Sequence, residues 1–254
     1  LNHHWFAYRK ENPGAVLRLF CLPYAGGSAM AYRNWSDFLP HNVEICPIEL
    51  PGRGARLQQP AYRDMKPLVE ALGEALMPYL DKPYALFGHS MGALIAFELA
   101  RWIRRLKLPA AQLLFASGHT APQLGCNHDP IYHLPDEAFK AKLRELNGTP
   151  EAVINNEELM ALLLPMLRAD FQVNETYRYE PEPALAIPII ALGGRDDRDV
   201  TIASLQAWQQ QTSSRFSLHI FEGGHFFLQS AQLQVLQTVA EHLKNILMKL
   251  MSYQ

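Results

Sequence analysis

The chain has 254 residues, 48% of them hydrophobic, and carries 23 Lys and Arg against 25 Asp and Glu. That is enough apolar material for one α/β domain with a small insertion. A formal net charge of −2 leaves no basic excess to neutralise a nucleic-acid backbone, so a nucleic-acid partner is not expected. The three cysteines, Cys21, Cys46 and Cys126, are odd in number and widely spaced. They argue against a disulfide framework or a zinc site and point to a reducing, cytoplasmic setting. Cys21 and Cys46 read as small apolar residues in core strands. No apolar run reaches the length of a membrane span, and Leu1–Lys10 lacks the apolar stretch of a signal peptide, so no membrane association is expected.

Short apolar runs alternate with amphipathic segments, which predicts a mainly parallel, twisted sheet with helices on both faces. Val16–Leu22 reads as a buried strand ending at the loop Pro23-Tyr24-Ala25-Gly26-Gly27-Ser28, and a helix is expected over Ala29–Leu39. Val43–Ile48 is the next strand, ending at Leu50-Pro51-Gly52-Arg53-Gly54, with a helix over Lys66–Leu80. Tyr84–Phe87 is a short strand leading into Gly88-His89-Ser90-Met91-Gly92, and Ala93–Arg105 a helix with an apolar first half. Leu113–Ser117 is a further strand. The alternation then stops. His119 to about Pro183 holds helical patterns, Asp136–Leu146 and Asn156–Tyr177, but no convincing strand. It resumes with a strand at Ile187–Leu192, a helix near Ile202–Gln211, a strand at Phe216–Phe221 and a closing helix from Gln229 to about Leu250. A helical insertion between two strands of an open sheet reads as a lid. The expectation is a single domain over 1–254 with a lid at about 119–183.

Gly88-His89-Ser90-Met91-Gly92 is a G-x-S-x-G pattern between a strand and a helix. Such a turn is tight, and side chains at its flanking positions would clash with the strand and helix beside it. It lifts the serine hydroxyl above the sheet, with a helix N-terminus behind it to favour developing negative charge. This is the nucleophile elbow of the α/β-hydrolase fold, in which acid and then base follow in chain order. Among ten histidines, His225 stands in the loop from which an imidazole can return to Ser90. It follows Gly223-Gly224, beyond one strand and ahead of the closing helix. His219 alternates within a strand and His242 lies on the last helix, so both read as structural or solvated. His89, next to Ser90, points away from the hydroxyl by local geometry. The acid belongs after Ile187–Leu192, where Gly193-Gly194-Arg195-Asp196-Asp197-Arg198-Asp199 offers three aspartates. Counting from Gly194 favours Asp197; counting from Gly193 gives Asp196. The oxyanion donors are expected from the amide of Met91, after the nucleophile, and of Ala25, in the loop after the first strand.

These segments together resemble the type II thioesterases, the editing thioesterases associated with polyketide and nonribosomal peptide synthases. Arg18–Ala29 looks like the family's opening strand and oxyanion loop, and Glu49-Leu50-Pro51-Gly52-Arg53-Gly54 like its second signature. Phe87–Ala93 is similar to its elbow, and Leu167-Arg168-Ala169-Asp170-Phe171 to a lid-helix signature. Ala191–Asp197 and Gly223–Leu228 resemble its acid and base loops. The resemblance places the acid at Asp197. It implies a free-standing serine hydrolase acting on acyl groups carried as phosphopantetheine thioesters on carrier proteins of such a synthase, with no metal and no redox cofactor. A small-molecule carboxylesterase or an acyltransferase would use the same Ser90, Asp197 and His225, and stays open as an alternative.

Two further patterns carry a reading. Leu159, Met160, Leu162, Leu163, Leu164, Met166 and Leu167 make one helix apolar on more than one face. That suits a helix buried in a core, a mobile cover lining an acyl channel, or both. Arg101, Arg104, Arg105 and Lys107 cluster near a helix end, where they suit the helix dipole. A docking patch for an acidic carrier protein is the alternative.

Overall fold

The computed structural model describes residues 5–126 and 129–252. Six strands, β1 (Leu17–Leu22), β2 (Val43–Pro47), β3 (Tyr84–His89), β4 (Leu114–Ser117), β5 (Ile189–Gly194) and β6 (Phe216–Phe221), form one sheet in the order β2-β1-β3-β4-β5-β6. Every pairing is parallel. All strands but β6 are buried along their length, as a sheet covered on both faces requires.

The two-residue period of the strands sorts their side chains into two cores. Phe20, Leu22, Cys46, Leu86, Leu114 and Ala191 pack on one face, under α1 (Met65–Leu76) and α2 (Met91–Arg105). Leu17, Leu19, Cys21, Phe87, Phe115 and Leu192 pack on the other, under α8 (Gln232–Met251) and the segment around Tyr32 and Trp35. Cys21 and Cys46 are both fully buried strand residues, and burial pushes the Cys46 thiol up to about 12.

Between β4 and β5 the chain makes a helical excursion: α3 (Asp136–Leu146), α4 (Glu151–Ile154) and α5 (Glu157–Glu175). These helices share a small core of their own, built from Phe139, Leu143, Ile154, Met160, Leu164, Met166 and Leu167. The apolar surplus of α5 therefore has two destinations, since Val173 reaches the sheet core. Leu162 remains exposed. The short helices α6 (Ile202–Gln206) and α7 (Phe227–Ser230) complete the fold. No helix among the described residues is long and apolar enough to cross a membrane.

Three expected elements differ. Ala29–Leu39 is not a single helix but two 3-10 turns, Ala29–Tyr32 and Trp35–Asp37. Tyr32, Asn34, Trp35, Ser36 and Asp37 are poor helix formers, and side-chain contacts hold the segment instead. The Tyr32 hydroxyl donates to the Leu22 carbonyl at 2.7 Å, and Tyr32 and Trp35 pack edge-on against Phe87. The helix expected at Ile202–Gln211 likewise tightens to 3-10 after Gln206. Strand β5 starts after Pro188 and runs through Gly193 and Gly194, two residues later than the apolar run suggests. Both glycines pair with β6, so the ladder rather than hydrophobicity sets the end.

Candidate active site

The chain passes from β1 to β2 on one side and then to β3 on the other, so the order in which strands are added reverses between β1 and β3. In open parallel sheets, sites form at the carboxyl ends of the strands beside such a reversal. Ser90 follows β3 directly and precedes α2. Its backbone sits at φ 53° and ψ −123°, a strained conformation for a residue with a side chain. The strain is held from both sides: the Ser90 amide donates to the Ser117 carbonyl at 2.7 Å, and its carbonyl accepts from the Ala93 amide at 2.8 Å. Both elbow glycines are needed for close approach. A Cβ on Gly88 would stand 2.0 Å from the Gly92 carbonyl oxygen, and one on Gly92 would stand 2.2 Å from that of Leu22.

His225 and Asp197 reach Ser90 from the loops after β6 and β5. His225 Nε2 lies 3.0 Å from Ser90 Oγ, and His225 Nδ1 lies 2.7 Å from Asp197 Oδ2. The Asp197 side chain is 1% exposed. Its other oxygen, Oδ1, accepts the amides of Asp199 and Val200 at 3.0 and 3.1 Å. A carboxylate only accepts, so Nδ1 carries the proton and neutral Nε2 is left to accept from the serine hydroxyl. Asp196 and Asp199 are exposed and aim no side-chain bond at His225. The two loops interlock at their base, where a Cβ on Gly194 would meet the Gly224 and Gly223 carbonyl oxygens at 2.3 and 2.5 Å.

Ala25 lies in the turn after β1. The Gly27 amide donates to the Tyr24 carbonyl at 2.8 Å, and Gly26 takes φ +75°, as the third residue of a type II turn must. Met91 is the first residue of α2. Among the described residues, no hydrogen bond within the protein uses the amide of Ala25 or of Met91, so both remain free to donate. Such an arrangement can deprotonate a hydroxyl, hold an attacked carbonyl and stabilise negative charge on its oxygen.

The surroundings were less legible. His89 is fully buried, with Nδ1 bonded to Ser117 Oγ at 2.9 Å and its ring 5.3 Å from that of His225. Burial, and then the charge His225 would carry, hold its imidazole well below the ordinary value of 6.5. His119, at the end of β4, contacts Asn174 of α5 at 3.1 Å, and burial lowers it too. Tyr24 packs edge-on against both Phe226 and His89. The helical excursion closes over these groups: a Cβ on Gly26 would meet Leu167 at 2.6 Å, and one on Gly148 would meet Phe226 at 2.6 Å. No sequence pattern joins these residues, because each contact comes from a different loop. His219 and His242 lie elsewhere and face each other, Nε2 to Nε2, at 3.1 Å.

Of the basic cluster at the end of α2, Arg101 is buried while Arg105 and Lys107 are exposed. Arg101 pairs with Glu98 at 2.6 Å and Glu182 at 2.8 Å, and Arg104 and Arg105 also pair with Glu182, at 2.5 and 2.7 Å. These bonds clamp the segment entering β5 onto α2.

Sheet order, elbow and the linked serine, histidine and aspartate define the α/β-hydrolase class. The chain belongs to the thioesterase family: the family described as "Thioesterase domain" matches residues 17–247. Gramicidin S biosynthesis protein GrsT of Aneurinibacillus migulanus is 44% identical, over 96% of this chain and 95% of its own length. Thioesterase PikA5 of Streptomyces venezuelae is 35% identical, over 94% and 85%. Among solved structures, the type II thioesterase BorB from the borrelidin biosynthetic cluster superposes with a TM-score of 0.86 at 40% identity, covering 94% of this chain and 97% of its own.

Proposed function

We propose that this chain is a type II, editing thioesterase that hydrolyses acyl groups from phosphopantetheine thioesters on carrier proteins of a polyketide or nonribosomal peptide synthase. The observation that carries the chemistry is the continuous hydrogen-bonded chain from Ser90 through His225 to buried Asp197. The carrier-bound substrate is supported by likeness to GrsT, a gramicidin S biosynthesis protein, and to BorB, a type II thioesterase. The odd number and wide spacing of the three cysteines support a cytoplasmic setting.

Ser90 Oγ attacks the thioester carbonyl while His225 Nε2 takes its proton. The oxyanion that forms is held by the amides of Ala25 and Met91. Collapse breaks the C–S bond, and the imidazolium returns the proton to the departing pantetheine thiol. Water, deprotonated by His225, then hydrolyses the acyl-serine and releases the carboxylic acid. Asp197 fixes the imidazole tautomer and stabilises the imidazolium. The insertion at about 119–183 acts as the lid over the acyl group.

The test is a hydrolysis panel: varied acyl groups loaded on carrier protein, the same groups as acyl-CoA, and simple esters. A higher kcat/KM on carrier-bound thioesters is expected, together with fluorophosphonate labelling that Ser90→Ala abolishes. Preference for free esters would overturn the thioesterase assignment, and transfer to an added alcohol or amine in preference to water would make the protein an acyltransferase.

A further inference from the structure

Behind the turn that carries Ala25 lies a buried ion pair that the chemistry above does not use. Asp170, on α5, is 3% exposed and Arg53, in the loop after β2, is 4% exposed. Their contact is bidentate: Arg53 Nη1 to Asp170 Oδ2 at 2.7 Å and Nη2 to Oδ1 at 2.6 Å. Both partners also grip the turn. Asp170 Oδ2 accepts the Gly26 amide at 2.7 Å, and Arg53 Nη1 donates to the Gly27 carbonyl at 2.8 Å.

Stability is a poor explanation for such a pair, because burying two charges costs about what their attraction returns and an apolar replacement is often no worse. Geometry is a better one. In a type II turn the central peptide is rotated by roughly half a turn relative to type I. In the turn Tyr24–Gly27 that peptide joins Ala25 to Gly26, and its N–H is the one Asp170 accepts. The carboxylate therefore selects the turn type, and Arg53 anchors both the carboxylate and the next carbonyl. Leu167, one turn before Asp170 on the same helix, lies directly over Gly26. Helix α5 thus both covers the turn and sets its conformation.

We propose that Arg53 and Asp170 are positioning residues: by fixing the Ala25–Gly26 peptide and the Gly27 carbonyl they hold the turn in place, and with it the Ala25 N–H on the preceding peptide, so that the oxyanion site is complete only when α5 is docked. The proposal rests on the reading of Ala25 as an oxyanion donor. Losing one such donor costs about 10²–10³-fold in kcat, and a misplaced donor should lose a large part of that. Asp170→Asn keeps the shape but offers one acceptor where three donor hydrogens converge, and Arg53→Lys keeps the charge without the fork.

The experiment measures kcat and KM for an acyl-pantetheine thioester in both variants, and the affinity of two inhibitors: an acyl trifluoromethyl ketone, which Ser90 converts to a tetrahedral oxyanion, and the matching unreactive amide. For Asp170→Asn we expect kcat to fall about 30- to 100-fold with KM within about 3-fold. Ketone affinity should fall in step with kcat while amide affinity holds. An unchanged kcat in folded Asp170→Asn, or equal weakening of both inhibitors, overturns the proposal. Should Asp170→Asn fail to fold, Asp170→Glu, which keeps the charge but moves the carboxylate by one methylene, carries the same readouts. Ser90→Ala is run in parallel. Turnover surviving there refutes the nucleophile, whereas its loss beside an unchanged Asp170→Asn refutes only the positioning pair.

Discussion

Asp197→Asn is the most discriminating single substitution, because the structure dictates which way the new amide must face. Asp197 Oδ1 accepts two backbone amides, from Asp199 and Val200, and a buried NH2 group placed there would confront two other donors. The Asn oxygen must therefore take the Oδ1 position, leaving its NH2 against His225 Nδ1, 2.7 Å away in the native pair. Nδ1 is then forced to accept, the ring proton moves to Nε2, and His225 donates to Ser90 instead of receiving from it. Shape and packing are preserved while the base is held in the wrong tautomer. In the serine-protease triad the same exchange lowers kcat by about 10⁴, roughly 5.5 kcal/mol of transition-state stabilisation. We expect a loss of that order in thiol release from an acyl-pantetheine thioester, with the thermal midpoint and circular dichroism close to those of the native protein. Asp196→Asn and Asp199→Asn, on exposed side chains, should stay within about 3-fold. Activity of Asp197→Asn within 10-fold of native, or a large loss on substituting Asp196, would refute the assignment and reopen the choice the sequence leaves between them.

Gly92→Ala brings a Cβ to 2.2 Å from the Leu22 carbonyl oxygen and 2.7 Å from that of Pro23. The backbone must move by about 1 Å to relieve this, so kcat/KM should fall about 10²-fold with a stability loss of about 1–3 kcal/mol. Gly125→Ala, at φ +71° and ψ −172° with nothing within 4 Å, should cost about 1–3 kcal/mol of stability and leave kinetics unchanged; similar kinetic losses in both would count against the close approach. Stability should also fall on mild acidification. Burial lowers the imidazoles of His89, His119, His219 and His242 below 6.5, so as pH drops through that value the unfolded chain takes up protons the folded one refuses. The thermal midpoint should decline from pH 7 to pH 5, and a flat profile would mean these rings are not held neutral. Arg101→Met leaves buried Glu98 without its ion-pair partner, while Glu182 keeps Arg104 and Arg105, and should cost about 3 kcal/mol, read as a drop in thermal midpoint, without changing kcat. Arg105→Ala, at a half-exposed pair, should cost under about 1 kcal/mol. If Arg105→Ala instead raised KM for acyl-carrier protein but not for acyl-pantetheine, the docking role of this cluster would be restored.

The layout of the sheet was legible because its strands are buried on both faces and so stand out as short apolar runs. Where a boundary was missed, hydrogen bonding outweighed hydrophobicity. Gly193 and Gly194 belong to β5 because they pair with Ile220 and Phe221, which no apolar count can reveal. A helix is expected after Ser28, yet the segment forms two 3-10 turns held by Tyr32 and Trp35 against Phe87 from a strand far along the chain. Ser90 and His225 were legible for a different reason. Gly88 and Gly92, forced by close approach, flank Ser90, and Gly223, held at φ +108°, shortly precedes His225; a forced glycine leaves a mark in sequence that a packed leucine does not.

The Arg53–Asp170 pair shows where that legibility ends. Its partners are 117 residues apart; each lies in a stretch that the family resemblance picks out, Glu49–Gly54 and Leu167–Phe171, but nothing along the chain says that the two stretches meet. Composition argues against burying either. Only when α5 is laid across the turn after β1 do the two charges meet, and only then does the Gly26 amide acquire its acceptor. A reading along the chain can find the groups that perform a reaction, because their loops are constrained locally by strain and close approach. The groups that aim them are constrained by the fold as a whole. In this protein they arrive on the helical insertion, the part of the chain whose sequence says least about the sheet it covers.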